Sequence, residues 1–153
     1  MPLTRPQFAR WGSAVYSADA ISGRPAADET RVVVVEDDYL LSLELETALT
    51  DAGFTVAGIA RSAEEAVELV RFTRPVLVFM DVRLAGESDG VDAALAIFNL
   101  SGIRCIFATA HYDADTQRRA APASPLGWLA KPYNAESVIV AVRRALAQLA
   151  SGH

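Results

Sequence analysis

Several residues of this chain carry groups that could handle a phosphoryl group, and each follows a short apolar run. Glu36-Asp37-Asp38 follows Val32–Val35, Asp81 follows Val-Leu-Val-Phe-Met, Thr109 follows Phe107-Ala108, and Lys131-Pro132 follows Leu129-Ala130. A carboxylate placed directly after five apolar residues stands where a solvated charge is least expected. Acids forced together repel and raise one another's pKa. A divalent cation removes that conflict, and a small set of hard oxygen ligands suits Mg²⁺. A carboxylate poised beside such an ion can serve as a phosphate-accepting nucleophile. Phosphoryl transfer further requires charge neutralisation at the equatorial oxygens. Lys131 offers a point charge for that purpose and Thr109 a hydroxyl donor. Lys131 is the only lysine; the other thirteen of the 14 basic residues are arginine. That bias supports a requirement for an ammonium at this position. Taken singly, each residue also has a plainer reading: Asp38 as a helix cap or solvent-facing group, Lys131 as a solvated surface cation.

These residues need elements that bring them to one place. Val32–Val35 is an all-β-branched run that reads as a strand buried on both faces. Leu41, Leu45, Ala48, Leu49 and Ala52 then recur at helical spacing, closed by Gly53. Thr55–Ala60 reads as a second strand. Ser62 and Glu65 form a capping-box pattern before Ala66, Val67 and Val70, and Pro75 ends that helix. Val76–Met80 reads as a third strand, Val82–Gly90 as a polar loop and Val91–Leu100 as a helix. Ile103–Ala108 is a fourth strand. Asp113–Ala121 is a weak helix stopped by Pro122, Leu126–Ala130 a fifth strand, and Asn134 caps a last helix. Buried strands alternating with helices predict an α/β fold with a five-stranded parallel sheet, doubly wound as (βα)5. In such a sheet reactive groups gather at the carboxyl ends of the strands.

Composition bounds the rest. The chain has 153 residues, 52% apolar, with a formal net charge of −5. That length suits one domain, and the acid balance argues against direct nucleic-acid binding. No apolar run approaches the ~20 residues that span a bilayer. The single cysteine, Cys105, cannot form an internal disulfide and points to a reducing, cytoplasmic setting; within its apolar strand it reads as a small buried hydrophobe. Residues 1–30 carry Pro, Gly and small polar residues without a sustained period and read as a flexible extension. Residues 31–150 form the regular domain and 151–153 a tail, with no room after Leu149 for an output domain.

The acidic turn Val35-Glu36-Asp37-Asp38, Asp81, Thr109-Ala110 and Lys131-Pro132, in that order, resemble the response-regulator receiver domain of two-component signalling, over about residues 31–150. The resemblance implies a flavodoxin-like receiver fold. It implies Asp81 as phosphoacceptor, Glu36, Asp37 and Asp81 as Mg²⁺ ligands with the backbone carbonyl of Arg83, Lys131 paired with the phosphoryl oxygens, and Thr109 moving toward them on activation. Trp128 falls where the family keeps its rotamer-switching aromatic, and otherwise simply packs. Phe107-Ala108-Thr109-Ala110-His111-Tyr112 is similar to the "FAT GUY" subgroup of bacterial general stress signalling. Ala110 there replaces a Gly, and His111 replaces an apolar residue. The loop after Asp81 lacks the usual proline behind Leu84.

Arg83 and His111, each two residues beyond a key side chain, fall where the resemblance places the path of the attacking water, and so either tune the lifetime of the phosphorylated state or are ordinary rim side chains. The implied partners are a histidine kinase or histidine phosphotransfer protein and a separate downstream protein. The downstream protein would meet the face of the fourth helix, fifth strand and fifth helix, with Asp113–Ala121 as its mobile element. Arg118-Arg119 and Arg143-Arg144 lie on that side, as solvated faces or partner contacts. A receiver-like interaction module without phosphotransfer is an alternative. So is a Mg²⁺-dependent aspartyl-nucleophile phosphohydrolase, although Arg83 stands where such enzymes need a second acid.

Overall fold

Strand β1 (Arg31–Val35) carries four valines with no exposed surface. Branching at Cβ favours the extended backbone, and full burial on both faces places β1 inside the sheet. The computed structural model describes residues 30–152. Within them β1 is followed by α1 (Tyr39–Asp51), β2 (Thr55–Ala60), α2 (Ala63–Thr73), β3 (Leu77–Asp81), α3 (Gly90–Ser101), β4 (Cys105–Thr109), α4 (Ala114–Ala120), a 3₁₀ turn at Ala121–Ala123, β5 (Gly127–Ala130) and α5 (Ala135–Ala150). Residues 1–29 of the expected extension and the last residue of the tail lie outside the described residues.

The sheet is wholly parallel in the order β2-β1-β3-β4-β5. Alternate strand residues divide the core in two. Val33, Val35, Val78, Met80, Cys105 and Phe107 pack with α2, α3 and the end of α4. Val32, Val34, Leu77, Phe79, Ile106 and Ala108 pack with α1 and α5. This is the doubly wound arrangement expected from the sequence. Among the described residues, no helix is long and apolar enough to cross a membrane.

Several boundaries differ from those read in the sequence. Asp81 and Thr109 are the last residues of their strands rather than the first residues beyond them. Gly90 belongs to α3, not to the loop, because Asp89 caps that helix in a reciprocal box with Asp92. At α2 only half of the expected box forms. Ser62 accepts from the Glu65 amide at 3.2 Å, whereas the Glu65 carboxylate accepts from the Arg61 amide at 2.9 Å. α4 ends at Ala120, ahead of Pro122 as expected, and Pro122 sits in the first turn of the 3₁₀ segment that follows, where its missing N–H costs nothing.

Candidate phosphoacceptor site

Parallel pairing sets the carboxyl ends of β1, β3, β4 and β5 side by side. Val35 pairs with Met80, Asp81 with Ala108, and Thr109 with Ala130. The acidic turn, Asp81, Thr109 and Lys131 therefore share one edge of the sheet. Asp38 caps α1 through its side chain, which accepts from the Leu41 amide at 3.1 Å, so its plainer reading holds.

Glu36, Asp37 and Asp81 present carboxylate oxygens all within 4.8 Å of one another. Glu36 and Asp81 are buried, at 1% and 3% exposure, while Asp37 faces solvent. Lys131 Nζ lies 3.3 Å from Asp81 Oδ2 and 3.5 Å from Glu36 Oε1. The other Asp81 oxygen accepts from the Arg83 amide at 3.3 Å. Glu36 Oε2 accepts from the Asp38 amide at 3.0 Å, but Oε1 is buried without a hydrogen-bond partner. Burial, with the charge of Asp81, pushes the Glu36 carboxyl up to about 7 against the opposing pull of the Asp38 amide and Lys131. One ammonium thus faces a cluster of three carboxylates that holds an orphaned buried oxygen. Such a cluster has unmet demand for positive charge, and its all-oxygen donor set fits a hard divalent cation.

Thr109 does not point its hydroxyl freely at this cluster. Oγ1 accepts from the His111 amide at 3.0 Å and donates to the His111 carbonyl at 3.2 Å. The side chain of His111 is exposed, as is that of Arg83. Arg83 contributes its amide to Asp81. Trp128 lies stacked on Phe107, with ring centroids 4.7 Å apart, and Tyr112 tilts against its indole at 5.3 Å. Thr109, Tyr112, Trp128, Leu129 and Ala130 line an adjoining cavity of about 280 Å³. Cys105 is fully buried, as expected, and burial holds its thiol well above the usual range.

Three features of the site were not anticipated. Gly90 rests on Asp81: a Cβ on Gly90 would stand 2.0 Å from the Asp81 carbonyl oxygen. Ala85, in the loop after Asp81, forms a parallel bridge with Ser62. Arg119 is not simply solvated or left for a partner. Its guanidinium binds Asp89 through both terminal nitrogens, at 3.0 Å each. The spacing Asp89-x-x-Asp92 was a readable cap signal. The contacts of Gly90, Ala85 and Arg119 themselves depend on tertiary packing and leave no local trace.

Comparison with known proteins agrees with this fold. The family model "Response regulator receiver domain" matches residues 32–143. The transcriptional regulatory protein PdtaR of Mycobacterium tuberculosis is 33% identical over 123 residues, covering 80% of this chain and 60% of PdtaR. The phyllosphere-induced regulator PhyR of Methylorubrum extorquens is 32% identical over 129 residues, covering 82% of this chain and 47% of PhyR. The chain thus spans about half to three-fifths of these curated relatives. Among solved structures, the signal receiver domain of a modulated diguanylate cyclase from Desulfovibrio desulfuricans G20 superposes with a TM-score of 0.75. It has 31% identity and covers 82% of this chain and all of that one. A CheY-like receiver domain protein from Methanospirillum hungatei shares the fold at a TM-score of 0.76 and 19% identity, again over 82% of this chain and all of that one.

Proposed function

The chain belongs to the response regulator receiver domain family, and we propose that it accepts a phosphoryl group on Asp81 from a phosphohistidine of a histidine kinase or histidine phosphotransfer protein. The observation that carries this reading is a buried carboxylate with an ammonium 3.3 Å away, beside two further acids. A carboxylate oxygen of Asp81 attacks phosphorus, the phosphorus–nitrogen bond of the donor breaks, and the imidazole leaves with its electron pair and takes up a proton. Asp81 is left as an acyl phosphate. Attack of water on that phosphorus returns the carboxylate and inorganic phosphate. The chain acts as a regulator that catalyses only its own phosphorylation and dephosphorylation.

Glu36, Asp37 and Asp81, with the Arg83 carbonyl, would hold Mg²⁺, which supplies charge neutralisation at the transferring group when bound. Lys131 orients the phosphoryl oxygens by its charge. Thr109 exchanges its hydrogen bonds to the His111 backbone for one to the phosphoryl group. That exchange loosens the β4–α4 loop and the Tyr112–Trp128–Phe107 stack that adjoins it. A downstream protein then reads the α4–β5–α5 face. The route serves either to signal to that partner or to drain phosphate from the donor. The side chains of Arg83 and His111, exposed beside the acceptor and the threonine, tune the access of water. Alanine at either position is expected to change the phosphate lifetime.

Acetyl phosphate with intact-mass readout tests the reading. Wild type is expected to gain one phosphate in Mg²⁺ and none in its absence, and Asp81→Asn to gain none in either. Equal labelling of Asp81→Asn would refute it. If small donors fail, a purified histidine kinase is the donor for the same comparison.

A further inference from the structure

The phosphoryl chemistry leaves one charged cluster of the described residues unused, and that cluster joins α4, an element of the proposed response, to the N-terminus of α3 beside the acceptor backbone. Asp89 caps α3. Its Oδ1 accepts from the Asp92 amide, and Asp92 Oδ2 accepts from the Asp89 amide, both at 3.0 Å. The Arg119 guanidinium, on α4, spans this cap. Nη1 donates to Asp89 Oδ2 at 3.0 Å, and Nη2 donates to Asp89 Oδ1 at 3.0 Å and to Asp92 Oδ1 at 3.3 Å. A fork on one carboxylate with a third contact to another fixes direction as well as distance. The neighbour of Asp89 is Gly90, which has no side chain between α3 and the backbone of Asp81. Its amide donates to the Val82 carbonyl at 2.7 Å, and a Cβ there would overlap the Asp81 carbonyl at 2.0 Å. Displacement of Asp81 or Val82 therefore passes to Gly90 and Asp89 without a compliant side chain to absorb it. At the other end, α4 is seven residues long and Ala120 is its only buried residue. Little apolar surface fixes its position, so a directed polar contact carries unusual weight.

We propose that Arg119 is a positioning residue that couples α4 to the phosphoacceptor backbone through the Asp89–Asp92 cap and Gly90. This link rests on the reading of Asp81 as phosphoacceptor. It is separate from the route through Thr109, which reaches α4 from the β4 side by way of His111. The short helix is thus tethered to the acceptor at both ends. Thr109 governs its entry, and Arg119 governs its last turn. A coupling between sites acts equally in both directions, so loosening Arg119 frees the acceptor loop, and occupation of Asp81 alters the hold on α4.

Amide hydrogen exchange on the full chain tests the link, in wild type, Arg119→Ala and Arg119→Lys, with and without Mg²⁺ and beryllofluoride as a phosphoryl mimic. Arg119 is half exposed, so both variants are expected to stay folded and to melt within a few degrees of wild type. Arg119→Ala is expected to speed exchange in residues 114–120 and also in residues 82–92, on the order of fivefold. Arg119→Lys, which keeps the charge but loses the fork, is expected to recover part of that protection. The response of α4 to beryllofluoride is expected to shrink in Arg119→Ala. Unchanged exchange at residues 82–92 in Arg119→Ala, or an undiminished α4 response, would overturn the proposal. Acetyl phosphate labelling of Asp81→Asn run in parallel separates the two failures. Labelling that ignores Asp81 defeats the phosphoacceptor reading. The exchange at residues 82–92 in unliganded protein still decides whether Arg119 holds the loop.

Discussion

Two carboxylate clusters lie a few residues apart on the same edge of the sheet, and they have opposite electrostatic characters. Glu36 and Asp81 are buried, share one ammonium, and leave Glu36 Oε1 without a hydrogen bond. Asp89 and Asp92 are partly exposed, close a reciprocal cap, and receive a full guanidinium fork. The shifts follow the surroundings. Burial drives the Glu36 carboxyl up to about 7. At Asp89 burial acts in the same upward sense, but the hydrogen bonds and charge of Arg119, with the Asp92 amide, outweigh it and hold the carboxyl below its ordinary value. The same residue types thus serve two ends. A cluster with unmet charge is prepared for a ligand, and a cluster with every oxygen engaged holds structure in place.

The sharpest way to break that contrast is to change how far the first cluster is from electrical balance. Lys131→Ala removes the ammonium shared by Glu36 and Asp81. Its loss is expected to slow acetyl phosphate labelling on the order of a hundredfold, the usual cost of deleting one aimed donor at a transferring group. A labelling rate close to wild type would show that the ammonium is only a counterion. Glu36→Gln acts in the other sense. It removes a buried charge while keeping the volume, so the metal-free protein is expected to gain about 1 kcal/mol in urea denaturation. Mg²⁺ binding, followed by titration calorimetry, is expected to weaken about tenfold or more because affinity follows ligand charge. Stability and binding should therefore move in opposite directions, and a loss of both would mean that Glu36 is a structural acid.

Gly90 joins the two clusters, and its substitution tests whether they act together. The Cβ introduced by Gly90→Ala meets backbone, not the flexible end of a side chain. The cost is expected at about 1–3 kcal/mol, read in urea denaturation, with slower labelling because Asp81 must shift. At Gly58 the added Cβ would instead meet Leu69 methyl groups at 2.8 and 2.9 Å, which can turn aside. Gly58→Ala is therefore expected to destabilise less and to leave labelling unchanged. Equal effects at the two glycines would remove the special place of Gly90.

The contrast between the clusters was legible in the sequence on one side only. Parallel strands put their carboxyl ends on one edge, so apolar runs ending in Asp81 and in Glu36-Asp37 could be read directly as a convergent site. Lys131 declared itself by being the sole lysine. What stayed hidden depended on the next shell of packing. Adjacent Glu36 and Asp37 look equivalent in sequence, yet one is buried and the other solvated, because neighbouring residues at a strand end face opposite ways. The Thr109 hydroxyl turns back onto the His111 backbone, a local closure that competes with the role expected of it. Gly90 looks like the end of a loop, since glycine is a poor helix former, although the Asp89 cap makes it the first residue of α3. Arg119 looked like a surface charge because its partners are distant in sequence and meet it only when α3 and α4 pack.

The smallest expected effect separates charge from capping in the second cluster. The folded Asp89 carboxyl binds its proton less tightly than the unfolded one. Its contribution is therefore present above the unfolded pKa, near ~3.9, and is lost as pH falls through the lower folded value. Asp89→Asn keeps an oxygen to cap α3 but gives up the charge that Arg119 faces. Because the side chain is 31% exposed, solvent screens the pair, and the difference at neutral pH is expected to be a few tenths of a kcal/mol, or ~1–2 °C in the melting midpoint. That gap should close as pH falls through the lowered folded value, where the wild-type carboxyl takes up its proton, and also in 1 M salt at neutral pH, where exposed charges are screened within about 3 Å. A gap that survives both treatments would come from the geometry of the cap alone. Arg119 would then lose its electrostatic hold on the loop, and the link from α4 to Asp81 would rest on the packing of Gly90.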